Sequence, residues 1–269
     1  SSTISGNIIT NIDFTSARST NSGTTYGFVG IWLKAGKATI SGNTIGSSSG
    51  TGSVLFKQNI QTGSPTTPFL PVCGILVSGT SNNTISNNII GGITMSYTGT
   101  GLIGTYGGNP FICIYSTSTG TTTISGNTIG NSVSNNITTA NTISGANITG
   151  IKVVSGGTAT ISTNTIQNLN CSGANTGTGT NASVIGIQIV TPSATNTDGI
   201  TSNVINNLTN SAVTASAVEV RGMHITGSTA GPCTIQQNWI YSLSVTSTSS
   251  SSVINGITTG GGSGSGFNV

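Results

Sequence analysis

Short runs in which apolar and polar residues alternate recur along the whole chain. One of them, TISGNTIG, occupies residues 39–46 and returns letter for letter at 123–130. Alternation with a period of two marks a strand with one buried face, and the Gly, Asn and Ser clusters between such runs mark corners. No helical periodicity interrupts the pattern. Anchored on the Ile of "TIS", the pattern has seven copies, at Ile4, Ile40, Ile85, Ile124, Ile161, Ile200 and Ile235, spaced by 36, 45, 39, 37, 39 and 35 residues. Three positions after each anchor stands an asparagine: Asn7, Asn43, Asn88, Asn127, Asn164, Asn203 and Asn238. Two positions further stands an isoleucine: Ile9, Ile45, Ile90, Ile129, Ile166, Ile205 and Ile240.

A second run precedes each anchor by about ten residues and reads Gly-apolar-x-apolar. It appears as GIWL (30–33), GILV (74–77), GIKV (150–153), GIQI (186–189) and GMHI (222–225). FICI (111–114) takes the slot in one copy without its glycine, and GITT (256–259) opens an eighth copy with no TISGN after it. A weaker apolar position follows the asparagine, as at Leu169, Leu208 and Leu243.

Three short strands per repeat predict one turn of a parallel β-solenoid. The chain is then an all-β protein of about seven turns, each rising about 4.8 Å. It forms a single domain over residues 1–269, with incomplete turns at both ends. The seven isoleucines stack inward as the core. The seven asparagines sit at a corner, where asparagine tolerates left-handed backbone, and form a ladder in which each amide pairs with the next. The extra length of some repeats, such as residues 46–72, is expected as edge loops or flaps.

Charge narrows the function. Only 3% of residues are Asp, Glu, Lys or Arg, against about 25% in an average globular protein. Six cations scattered through the chain are too few for nucleic-acid binding. Charges stacked in register would repel along a rod, whereas neutral Thr, Ser and Asn would not. Such a rod is expected to be insensitive to pH. No run approaches the roughly 18 apolar residues of a membrane helix, and SSTISGN is not a signal peptide. The four cysteines, Cys73, Cys113, Cys171 and Cys233, form no metal-like cluster. They read as small buried thiols, with disulfides the alternative.

The strings GIKVVSGGTATISTNTIQNL (150–169) and NWIYSLSVTSTSSSSVINGI (238–257) resemble right-handed parallel β-helix repeats of secreted bacterial surface proteins. The resemblance covers essentially the whole chain. It implies a right-handed solenoid and an extracellular or cell-surface location, and its fold hosts lyases, tailspikes, adhesins and stalks. The acidic clusters of the family's enzymes have no counterpart here. The three acids, Asp13, Asp198 and Glu219, occupy unrelated positions relative to their anchors, so stacking does not bring them together. Too few are present for a calcium site.

Glu219 and Arg221 share a face as a local ion pair. His224 falls at the outward x position also held by Trp32, Leu76, Cys113, Lys152 and Gln188, and is expected to be solvated or to line a groove. No catalytic, cofactor or metal site is expected. An ice-binding face of stacked Thr is disfavoured, because a second outward column beside the Thr column is expected to be missing: the positions two residues before it are irregular, as at Lys37, Asn82, Thr121, Thr158 and Pro232.

The expected function is therefore structural: a subunit of a surface filament assembled head to tail, or a segment of a long adhesin or stalk. A carbohydrate-active enzyme or an ice-binding protein ranks below both. The assembly ends are placed at Thr3, Ile4, Ile257, Phe267 and Val269, with a second copy's Ile4 falling 38 residues after Ile235. The partners are further copies or flanking repeats, and surface glycans, with no nucleic acid.

Overall fold

The computed structural model describes residues 1–18, 26–60, 71–99, 111–141, 147–154, 157–190, 198–226, 233–260 and 267–268. Its strands form three parallel sheets of eight, eleven and seven strands, two of the eleven branching off the main order of the second sheet. Every strand pairs in parallel with its counterpart one repeat away, which is the topology of a parallel β-solenoid. The one helical segment among the described residues is the 3-10 turn Gly179–Asn181.

Sheet A carries the TIS strands, in register Ile4↔Ile40↔Ile85↔Ile124↔Ile161↔Ile200↔Ile235. Sheet B carries the isoleucine after the asparagine. Sheet C carries the Gly-apolar-x-apolar strands. Ile40, Ile85, Ile124, Ile45, Ile90, Ile129, Ile75, Ile114 and Ile151 are all 0% exposed, so one column from each sheet meets in a single core. Burying an isoleucine side chain contributes about 1.5–3 kcal/mol, and period-two alternation delivers one per strand to that core.

The ladder asparagines divide the stack. Asn43, Asn88, Asn127, Asn164 and Asn203 are buried, while Asn7 and Asn238 lie in outer coils open to solvent. The seven equivalent turns expected from the spacing are thus five enclosed turns with an outer, open-faced turn at each end.

Three expectations change. Residues 46–72 are not simply a flap, because Val54–Ile60 is a strand of sheet B between Ile12–Arg18 and Ile93–Gly99. Its Val54 and Phe56 are buried in the core. The alternation V-L-F-K-Q there is an ordinary half-buried strand pattern, hidden by Ser/Gly-rich flanks; residues 61–70 lie outside the described part.

The weak third position is a true column: Ile12, Val54, Ile93, Ile137, Leu169, Leu208 and Leu243 are in register. The GITT strand is also followed by a sheet A strand after all, with Phe267 and Asn268 opposite Cys233 and Thr234. The anchor slot next to Ile235 is therefore reached sooner than 38 residues on.

The glycine of sheet C has a packing cause. A Cβ on Gly186 would lie 2.5 Å from the Gly222 carbonyl oxygen and 2.8 Å from Ile205 Cγ2, closer than real side chains come. Sheet C bends here, so that Val184 and Ile187 both point into the core with two residues between them. In the FICI repeat the register pairs Ile114 with Ile75 and Ile151. Cys113 therefore occupies the glycine slot, and the outward x residue is Tyr115, not Cys113. Cysteine is small enough to stand where glycine does elsewhere.

Candidate functional site

The ladder is the most regular constructed feature of the molecule. Asn127 Nδ2 donates to Asn164 Oδ1 at 2.9 Å, and the Asn127 backbone N–H donates to the same oxygen at 3.0 Å. Asn127 Nδ2 also donates to the Ile85 carbonyl, at 2.9 Å. Asn127 Oδ1 in turn accepts from Asn88 Nδ2 and Asn88 N–H, both at 2.9 Å. The side-chain step repeats from Asn7 to Asn43, Asn43 to Asn88, Asn164 to Asn203 and Asn203 to Asn238. Each rung satisfies the buried amides of its neighbours, so the ladder works only if every turn supplies one.

The left-handed backbone expected of these asparagines belongs instead to the residue before each: Gly6, Gly42, Asn87, Gly126, Thr163, Ser202 and Gln237, with φ from 54° to 67°. Its variability in sequence concealed it. A second corner was also missed. Asn168 and Asn207 adopt positive φ inside strands of sheet B; Asn207 Nδ2 donates to Asn168 Oδ1, and Asn168 Nδ2 donates to the Asn131 carbonyl at 2.5 Å. The repeated "QN" and "NN" two residues after the core isoleucine was the available signal.

The outer faces of the sheets differ. On sheet A, Thr39, Thr84, Thr123 and Thr160 form one partly exposed column, and Ser41, Ser86, Ser125 and Ser162 form a second beside it. The second hydroxyl column thus lies two residues after the threonines, although the positions before them are irregular. Gly199 and Gln236 interrupt the two columns.

On sheet C the outward residues are mostly covered. Leu76 is 1% exposed, Lys152 7%, Gln188 0% and His224 9%; only Trp32, at 44%, is open. His224 is thus buried, not solvated. Leu76, Cys73 and Ile112 form a second apolar cluster with Tyr26, Val29 and Tyr115. Burial lowers the Lys152 pKa to about 8, with the neighbouring Cys73 opposing that shift. Its ammonium lies 5.9 Å from the Tyr115 ring centroid.

The three acids have separate structural partners. Asp13 pairs with Lys57 at 3.1 Å on the surface, where such pairs contribute little. Asp198 Oδ1 accepts the Ala159 N–H at 2.7 Å, as Asn83 Oδ1 accepts that of Ala38 at 3.0 Å. Glu219 binds Arg221, Nε to Oε1 at 2.8 Å, as its shared face predicted. Among the described residues no group of three or more His, Cys, Asp or Glu side chains could hold a metal. All four cysteines are free and buried, and no described helix is long and apolar enough to cross a membrane.

At the stack's ends the core pattern runs into solvent. Ile254 and Ile257, in the last strand of sheet C, are 46% and 39% exposed, and at the other end Ile4, Ile9 and Ile12 are only partly buried, although their register partners Ile40, Ile45 and Val54 are enclosed. Thr3 and Ile4 lie in the first strand of sheet A, Ser2–Ser5. Phe267 contributes a strand backbone, and Val269 lies outside the described residues. These terminal strands also present unpaired backbone edges, chemically suited to receiving another parallel strand.

The fold defines the chain as a parallel β-solenoid with an asparagine ladder. No family model, curated protein or solved structure matches it.

Proposed function

We propose that the chain is a non-catalytic structural protein of the cell exterior, a subunit of a filament built by stacking one solenoid end on another. The observation that carries this reading is the incomplete burial of core-column residues at both ends, Ile254 and Ile257 at one and Ile4, Ile9 and Ile12 at the other. A strand added to either end would extend the sheets and cover those side chains, and a head-to-tail contact of this kind repeats without closing. The resemblance to secreted bacterial surface repeats and the neutral, hydroxyl-rich surface support an extracellular setting. Continuation into flanking turns of a longer adhesin or stalk would satisfy the same edges, and surface glycans are further proposed partners.

Electron microscopy of the native protein beside its denatured mass tests the proposal. Uniform filaments whose denatured subunit has the mass of this chain are the expected result. A much heavier subunit would assign the edges to a longer solenoid. Discrete particles of one chain would overturn end-on assembly.

The paired hydroxyl columns of sheet A support a second reading, in which that face orders water against ice. A thermal hysteresis measurement tests it, and the absence of any hysteresis at millimolar protein would remove it.

A further inference from the structure

The chain has ten Lys, Arg, Asp, Glu and His side chains, six basic, three acidic and one histidine. Three of the ten, Glu219, Arg221 and His224, are buried together on the outer side of sheet C, at 4%, 8% and 9% exposure. A chain that avoids charge almost everywhere concentrates it where desolvation is most costly.

Glu219 is the hub. Its Oε1 accepts from Arg221 Nε at 2.8 Å, Arg221 Nη2 at 2.5 Å and Asn255 Nδ2 at 2.9 Å. Its Oε2 accepts the backbone N–H of Gly179 at 2.8 Å. Gly179 belongs to the segment 172–183, which folds back over sheet C. Two further contacts seat that segment: Ser183 donates through N–H and Oγ to the Glu219 carbonyl at 2.9 and 2.6 Å, and Gln188 Nε2 donates to the Thr180 carbonyl at 2.9 Å. Arg221 Nη1 lies 2.6 Å from His224 Nδ1. Guanidinium can only donate, so Nδ1 must be the acceptor, and the ring is neutral with its proton on Nε2.

We propose that Glu219, Arg221 and His224 form an acid-released latch that holds segment 172–183 against sheet C at neutral pH. A proton on Nδ1 removes the acceptor and sets an imidazolium against the guanidinium. Little else faces the histidine to compensate. The neighbouring strand Val184–Val190 brings Ile185 and Gln188, the strand Val253–Gly260 brings Asn255 and Thr258, and segment 172–183 contains no ionisable side chain. Lys152, two strands away in the same column, adds positive charge. Glu219 is the one anion present, and its oxygens are already committed.

Two further oxygens favour opening. Gln188 Oε1 and Thr258 Oγ1, at the register positions on either side of His224, are buried without a hydrogen-bond partner. Release of the segment lets water reach them.

Burial, then Arg221, lowers the His224 pKa below its ordinary 6.5, and Glu219 only partly offsets this. The sign follows: the released or unfolded chain binds the proton more tightly than the latched one. Latch stability is therefore fully present above about pH 6.5 and falls as pH drops below it.

Hydrogen exchange of the intact chain, read by mass spectrometry over residues 172–183 and corrected for intrinsic rates, tests the latch. Protection is expected to fall about tenfold between pH 7.5 and pH 5, while the sheet A strands stay unchanged. His224→Asn keeps an acceptor near Nδ1 and cannot take up a proton, so it should abolish the pH response and keep the segment protected at both values. Glu219→Gln should lower protection at both. Equal wild-type protection at the two pH values, or a pH response that survives His224→Asn, would overturn the latch. The wild-type comparison decides the matter even if a variant fails to fold.

Discussion

On the outer side of sheet A, threonine and serine rows stand partly open to water; on the outer side of sheet C, Leu76, Lys152, Gln188 and His224 are buried. The two sheets have the same parallel register, and their outward residues occupy equally regular places in the repeat. What differs is the chain between repeats. Sheet A leads through a tight ladder corner straight into sheet B. Segments such as 172–183, by contrast, leave the stack and fold back over sheet C. Position in a solenoid repeat therefore fixes whether a side chain points in or out, and the inserted segments fix whether "out" means water.

The contrast is broken most severely at Glu219. Glu219→Ala strands Arg221 without its anion in a buried site and is expected to cost about 3–5 kcal/mol. Thr84→Ala, on the open face of sheet A, is expected to stay within about 0.5 kcal/mol. Urea unfolding midpoints at pH 7.5 measure both, and similar values for the two would mean that sheet C is not effectively covered.

The ladder supplies an internal reference for the same measurement. Asn127→Ala removes the acceptor of Asn88 N–H and of one Asn88 Nδ2 hydrogen, and it takes the side-chain donor from Asn164 Oδ1 and the Ile85 carbonyl in a dry site, so about 3 kcal/mol is expected. Asn238→Ala, in the open outer coil, should cost about 1 kcal/mol because water replaces the lost bonds. A cost that did not depend on coil position would argue against a cooperative ladder.

Lys152→Met sharpens the comparison from the other direction. The lysine is held at about 8 against its ordinary 10.5, so the fold disfavours its charged form. That cost is fully present below about pH 8 and disappears as pH rises towards 10.5, where the unfolded chain also loses the proton. The variant is expected to be about 2 kcal/mol more stable than the wild type at pH 7, with the gap closing by pH 10.5. Comparing variant with wild type at each pH cancels the Tyr26 ionisation, which burial pushes upward. A pH dependence confined to such sheet C variants would mark an exception to an otherwise pH-insensitive rod.

A small stabilising effect lies at the ladder corner. Thr163 is β-branched and holds φ at 54°, where glycine stands in other copies. Thr163→Gly is expected to stabilise by about 1 kcal/mol, a rise in thermal midpoint of a few degrees at most for a chain of this length.

Much of this was legible in the residues because a parallel stack repeats its demands. The anchor isoleucines, the asparagines after them and the isoleucines beyond all occupy the roles their spacing implied, and Leu169, Leu208 and Leu243 form a column as their weaker recurrence indicated. The left-handed corner was misassigned by one residue, because Gly, Asn, Thr, Ser and Gln all serve there and only the backbone angle unites them. Phe56 was hidden in a segment whose composition reads as loop. Cys113 was misplaced by two residues, since FICIYS alternates equally well in either frame.

The sequence by itself determined the fold class and the ladder. Each turn buries the same columns and must satisfy the same corner, so the requirement is written once per repeat and is visible as recurrence. Only the tertiary structure decided that Glu219, Arg221 and His224 share a dry site and that Lys152 is desolvated. Those environments arise from segments that cross the stack once, and a contact made once leaves no period to read.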